Sequence, residues 1–146
     1  DLPHALAVRL IEDIDAIALP VLEASMVLTD EDLLRFAIGS SRPRQRAIAS
    51  RPRLSPAVSD ALVHYGDYDV HAILTCNPGA SLQESSLTHL LRQYPADAMI
   101  QRQLARRPDL PPRFVEKMLS IVSDNVKEYL IAHAPVPPEL ARRAAT

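Results

Sequence analysis

The densest chemistry in the chain is a run of arginines. Arg42, Arg44, Arg46, Arg51 and Arg53 fall within residues 33–53, a segment that holds six arginines and no acid. A guanidinium presents a planar fork of donors that matches phosphate or carboxylate. One reading is therefore an anion site, taking a phosphate or an acidic partner helix. The plainer reading is a solvated loop, or an intramolecular match to upstream acids. Residues 1–32 carry eight acids and one base, and the remainder is nearly balanced at nine bases and ten acids. Arginine outnumbers lysine fourteen to two. That excess fits either anion recognition or a GC-rich genome. The net charge of −2 gives no global pull toward nucleic acid.

A second set shares a local context. Arg51, Asn77 and Arg107 each stand immediately before a proline, at 52, 78 and 108. They could form a polar binding row along one face. The plainer reading makes them C-terminal caps that bond the last carbonyls of their own helices. Cys76 with His71 or His89 would supply a thiol and a base. No orienting third group and no nucleophile signature surrounds Cys76, so a structural thiol is expected. His4, His64, His71, His89 and His133 are scattered, and Glu12, Asp13 and Asp15 do not share one helical face. No metal site is expected from them. Gly39, Gly66 and Gly79 lie too far apart for a phosphate-binding loop. These residues predict no catalytic group and no cofactor.

The elements that must position these residues repeat. Ile48-Ala49-Ser50-Arg51-Pro52-Arg53-Leu54-Ser55 returns as Leu74-Thr75-Cys76-Asn77-Pro78-Gly79-Ala80-Ser81, and again as Leu104-Ala105-Arg106-Arg107-Pro108-Asp109-Leu110-Pro111. A shorter copy follows at Ile131–Pro137, and a proline-free one precedes at Leu22–Thr29. The marker falls at 26, 52, 78, 108 and 135, giving spacings of 26, 26, 30 and 27. A period of that size marks a stack of similar units.

Each unit reads as two short amphipathic helices. Ser55-Pro56 is a cap followed by proline at the first helical position. Ser81-Leu82-Gln83-Glu84 fits a capping box. Thr29-Asp30-Glu31-Asp32 is a cap followed by acids that suit the positive end of a helix. Pro112 and Pro138 fill the same place in later units. Apolar faces run through Val58, Leu62 and Tyr65, through Leu87, Leu90, Leu91 and Tyr94, and through Val115, Met118, Leu119 and Val122. The second helices are marked by Val70, Ile73 and Leu74, by Met99, Ile100, Gln103 and Leu104, and by Val126, Leu130 and Ile131. Leu6, Leu10, Ile14 and Ile17 make one further face, after which Pro20 is expected to open a short helix.

Composition agrees. With 3 Gly, the chain is poor in the residues a hairpin-rich β-protein needs; with 13 Pro, it has many helix ends. With no Trp, two Phe and four Tyr, the core must be aliphatic. The expected fold is all-α, a right-handed α-solenoid of about five helix-pair repeats resembling a HEAT-like superhelix, in a single domain over residues 1–146. The chain starts at Asp1 without Met, as a fragment of a longer chain would. One cysteine permits no intrachain disulfide and suits a reducing cytoplasm. No run approaches the roughly 20 apolar residues of a membrane span.

The run Ile17–Ser25 with Leu28–Leu34, the unit Ala47–Arg51 with Val58–Val63, and Gly66-Asp67 with Val70, Leu74, Asn77 and Ala80 resemble an uncharacterised α-proteobacterial helical-repeat family, a domain of unknown function. The resemblance covers residues 15–95 best. More loosely, the chain is similar to leucine-rich-repeat-variant and HEAT-like arrays. The resemblance implies an all-α solenoid in a bacterial cytoplasm and carries over no functional residue. The function expected is a non-catalytic scaffold or regulatory module that binds a protein partner. The alternative is a nucleic-acid-binding array using the Arg42–Arg53 segment with Arg102, Arg106, Arg107 and Arg113. That alternative requires these arginines to share one face.

Overall fold

The computed structural model describes residues 3–12, 15–39, 41–108 and 110–133. Within these the chain is all-helical. The order is α1 (His4–Ile11), α2 (Asp15–Ala24), α3 (Asp30–Gly39), α4 (Arg42–Ala49), α5 (Pro56–Tyr65), α6 (Tyr68–Cys76), α7 (Glu84–Gln93), α8 (Ala98–Ala105), α9 (Pro112–Ile121) and α10 (Asp124–His133). The turn copy at 131–137 and Pro138 lie wholly or largely outside the described residues.

The contacts group the chain into two compact units, Asp1–Gln83 and Glu84–Thr146. In the first, α1 packs on α2, α2 on α4 and α4 on α6, while α3 packs on α5. Adjacent helices of one pair, α3 with α4 and α5 with α6, also touch. In the second, α7 packs on α9 and α8 on α10, again with α7 touching α8 and α9 touching α10. Helices one repeat apart therefore pack side by side. Amphipathic helices of eight to ten residues are marginal alone, so their stability comes from this packing.

The core is aliphatic. Ile11, Leu22, Ile48, Leu62 and Leu74 are fully buried in the first unit, and Leu90, Leu91, Ile100, Leu104, Met118 and Leu130 in the second. Phe114 is the one fully buried aromatic among the described residues. Equivalent turn positions are apolar as well: Leu28, Leu54, Ala80 and Leu110 are all buried, at sequence spacings of 26, 26 and 30.

The caps form as their residue types dictate. The Ser55 hydroxyl accepts from the Val58 amide at 3.2 Å, and Pro56 opens α5. Pro112 opens α9. At α3 the Asp32 amide donates to the Thr29 hydroxyl at 3.2 Å, and the Thr29 amide donates back to the Asp32 carboxylate at 3.0 Å. That is a reciprocal box with Asp in place of Glu. Asp67 caps α6 and Asp97 caps α8, each accepting the amide three residues on.

Four expectations are corrected. The stretch through Leu6, Leu10, Ile14 and Ile17 is two helices. The Glu12 amide bonds back to Arg9 and Leu10 and ends α1, which resets the phase of the face. Ala7 and Ile11 are buried, whereas Leu6 and Ile17 are exposed; Ile14 lies outside the described residues. Pro20 sits inside α2 rather than opening a helix. An interior proline costs about 3 kcal/mol, against burial of Val21 and Leu22 from the same helix at about 1.5–3 kcal/mol each. Finally, α7 begins at Glu84, not directly after Ser81. The Ser81 amide donates to the Leu54 carbonyl and the Leu54 amide to the Gly79 carbonyl, both at 3.0 Å, in a parallel bridge of Leu54 with Ala80. That bridge holds Ser81 extended and delays the helix. Tyr65, Met99 and Ile131, read as apolar-face residues, are exposed near the ends of their helices.

The same bridge brings two turns into backbone contact. A Cβ on Gly79 would stand 1.8 Å from the Pro52 carbonyl oxygen, a distance that backbone must move to relieve. Gly79→Ala is expected to lower the thermal midpoint, whereas Gly39→Ala, where a Cβ meets nothing within 4 Å, is not. Leu104→Ala is expected to destabilise the fold by about 2–5 kcal/mol, and an unchanged denaturation midpoint would place Leu104 outside the core.

Candidate functional site

The arginine segment resolves residue by residue, and α4 with the turn behind it positions all five. Arg42 is exposed at the start of α4. Its Nη1 donates to Gln45 Oε1 at 3.0 Å and to the Tyr65 carbonyl at 2.5 Å, and its Nε lies 4.0 Å from Asp67. Half-buried Arg44 donates to the Ile11 carbonyl at the end of α1. Half-buried Arg46 pairs with Asp69 at 3.8 Å. Arg51 is buried, and Arg53 alone is exposed without a hydrogen bond or ion pair among the described residues. The cluster is thus not one cationic patch. Three of its guanidiniums cap the carbonyl ends of three different helices, α5, α1 and α2.

Arg51 shows the principle best. Its Nη1 donates to the Leu22 carbonyl and its Nη2 to the Ser25 carbonyl, each at 2.6 Å. Those carbonyls close α2, one repeat upstream. Asn77 repeats the geometry. Its Nδ2 donates to the Ala49 and Arg51 carbonyls, each at 2.8 Å, and its Oδ1 accepts from the Gly79 amide at 3.0 Å. Both reach back 26 residues for one of their two acceptors. The expectation that these caps serve their own helices is corrected here, because each side chain closes the helix of the preceding repeat. The reason is spatial. The last carbonyls of a helix point onward along its axis, away from a residue in their own turn and toward the neighbouring turn.

Burial pulls the Arg51 guanidinium below its ordinary value, with Asp30 acting in the opposite direction. The Arg107 guanidinium, half-buried at the equivalent place after α8, is lowered by burial too. Arg51 is thus buried, and Asn77 and Arg107 are each half-buried at the equivalent place after their own helix.

A second polar row was not singled out from the sequence. Gln45, His71 and Gln101 are all buried, and their spacings of 26 and 30 match the turn's. Gln45 Nε2 donates to the Ala37 carbonyl at 2.7 Å and to that of Tyr65 at 3.2 Å. His71 Nε2 lies 2.8 Å from the Val63 carbonyl, to which it donates. Gln101 Nε2 donates to the Pro95 carbonyl at 2.6 Å. Each binds the end of the first helix of its own unit to the second. The signal was available, since all three stand seven residues before a turn proline.

The remaining candidates do not assemble. Cys76 is exposed while the His71 ring is fully buried, so thiol and imidazole face different surroundings on α6. His89 is exposed on α7 and His64 lies 3.4 Å from Asp60. Among the described residues no group of three His, Cys, Asp or Glu could hold a metal ion. Asp13 lies outside the described residues. The shorter of these histidine–carboxylate contacts joins two helices: His4 Nε2 lies 2.6 Å from Asp32 Oδ2, linking α1 to the cap of α3. Burial alone would raise the Asp32 carboxyl. The Thr29 amide, helped by His4 and the Thr29 hydroxyl, outweighs it and holds the group below its ordinary value.

Two outcomes follow. Arg51→Met keeps the side-chain bulk but strips two carbonyls of their donors, so a loss of about 1–3 kcal/mol is expected in chemical denaturation. Arg53→Met should stay within about 0.5 kcal/mol of the parent. A carboxyl whose folded value is depressed stabilises above its unfolded value, near pH 4, and loses that contribution as pH falls through the folded value. Asp32→Asn is therefore expected to lower the thermal midpoint at pH 7 and to flatten its decline on acidification below about pH 4.

No helix among the described residues is long and apolar enough to cross a membrane. Comparison with curated proteins and with solved structures finds no match in either. A family model does match, over residues 17–146, so the chain belongs to the family described as an uncharacterised protein conserved in bacteria, DUF2336.

Proposed function

We propose that the chain is a non-catalytic protein-binding scaffold or regulatory module of a bacterial, α-proteobacterial cytoplasm, built as a right-handed HEAT-like α-solenoid. The observation that carries this reading is the pair of back-bonds at Arg51 and Asn77, one repeat apart in the same register. Helices bonded end to end at a fixed step would make a stiff array, and such arrays offer extended surfaces rather than pockets. The five successive helix pairs among the described residues support the same architecture. The cytoplasmic assignment rests on one exposed thiol with no possible intrachain partner.

The charge chemistry favours a protein over nucleic acid. Arg42, Arg44, Arg46 and Arg51 all make bonds or ion pairs within the chain, which leaves Arg53 as the free cation of that segment among the described residues. A nucleic-acid surface would need several unengaged cations in line, and its affinity would fall steeply with salt.

A tagged pull-down from an α-proteobacterial host lysate, with half the sample treated with nuclease and salt raised stepwise, tests the proposal. One protein partner retained through nuclease and moderate salt is the expected result. Capture that vanishes with nuclease would overturn it in favour of nucleic acid.

A further inference from the structure

We propose that the exposed face shared by α8 and α10 docks the acidic N-terminal helices of a second copy of this chain. This inference stands apart from the partner-binding reading, and the two can fail separately.

The receiving surface lies within the second unit. Residues 98–108 hold Arg102, Arg106 and Arg107 and no acid. Met99, Arg102 and Arg106 are exposed on α8, and α10 packs against that helix. On α10 the Tyr129 and His133 rings are stacked, 4.3 Å between centroids and 17° between planes, with the Arg106 guanidinium 6.0 Å from the Tyr129 ring. Stacking pre-orders two rings beside a guanidinium, so little side-chain freedom remains to be lost on docking. Arg102 and Arg106 are one helical turn apart and form a cationic edge to this platform. Each can take a carboxylate by its fork. Neither has a hydrogen bond or ion pair to a carboxylate among the described residues; Arg106 instead lies over the Tyr129 ring.

The occupant is written in the same sequence. Residues 1–32 hold eight acids against one base. Asp32 is turned inward to His4 and Thr29, but Glu12, Glu23, Asp30 and Glu31 are exposed. The same helices and the turn after them expose Leu6 at 43%, Ile17 at 38% and Met26 at 84%. Carboxylates mixed with large apolar side chains complement arginines mixed with Met99 and Tyr129. The two surfaces differ, so the contact is heterologous and leaves one free surface of each kind at the ends of a growing chain of copies.

Sedimentation velocity on the whole chain across a concentration series provides the test. Association that grows with concentration at low salt and dissolves as salt is raised is expected. Arg102→Gln with Arg106→Gln should give a monomer, as should Glu12→Gln with Glu23→Gln, each with a circular dichroism spectrum matching the parent. Mixed together, these two variants retain one good surface each and should form a pair that stops at one-to-one. A parent chain that stays monomeric at every concentration and salt overturns the proposal, whatever the variants do. So does a mixture that fails to pair. An oligonucleotide that binds the monomer through Arg102 and Arg106 would reassign the face to nucleic acid.

Discussion

Every helix ends with carbonyls that no later residue of that helix can satisfy. Across the ten short helices of the described residues this constraint recurs at each repeat, and the rest of the structure depends on how it is met. Here the donors come from the following repeat. Arg51 closes α2 and Asn77 closes α4, so the group that completes one helix also fixes the position of the next pair. Hydrophobic burial sets how strongly the rows of helices hold together. It does not by itself set their register, since Leu and Ile faces tolerate sliding better than directional bonds do. The buried row of Gln45, His71 and Gln101 performs the complementary task inside each unit, joining first helix to second.

This explains why an arginine-rich segment in a chain of net negative charge need not be a binding site. A guanidinium can span two carbonyls at once, which a lysine ammonium does less well for want of a planar fork. Arg51 spans two carbonyls this way, and Arg42 and Arg44 each donate to the carbonyl that ends another helix. The enrichment of arginine over lysine in residues 33–53 is thereby given a structural use, while Glu12, Glu23, Asp30 and Glu31 face outward.

Much of the architecture was legible. The period of 26 to 30 residues, the caps at Ser55 and Thr29 and the prolines opening α5 and α9 all act locally, so the sequence carries them directly. The equivalence of Arg51, Asn77 and Arg107 was legible too, but its direction was not. Whether a side chain turns to its own helix or to the previous one depends on how neighbouring turns stack, which is a tertiary fact. The break between α1 and α2 was hidden for the opposite reason. Leu6, Leu10 and Ile17 happen to keep helical spacing across the junction, and residues 12–14 include no glycine or proline. The delayed start of α7 reflects a single backbone bridge that overrides a good capping pattern at Ser81.

Asn77 has one more property that its neighbour confers. Asparagine in proteins ages by attack of the next residue's amide nitrogen on the side-chain carbonyl, which closes a succinimide and then opens to aspartate or isoaspartate. The residue after Asn77 is Pro78, whose ring nitrogen carries no proton to give up. Conversion to a carboxylate would replace the two donated bonds to Ala49 and Arg51 with repulsion between oxygens. The proline that marks the turn therefore also protects the junction from succinimide-driven deamidation.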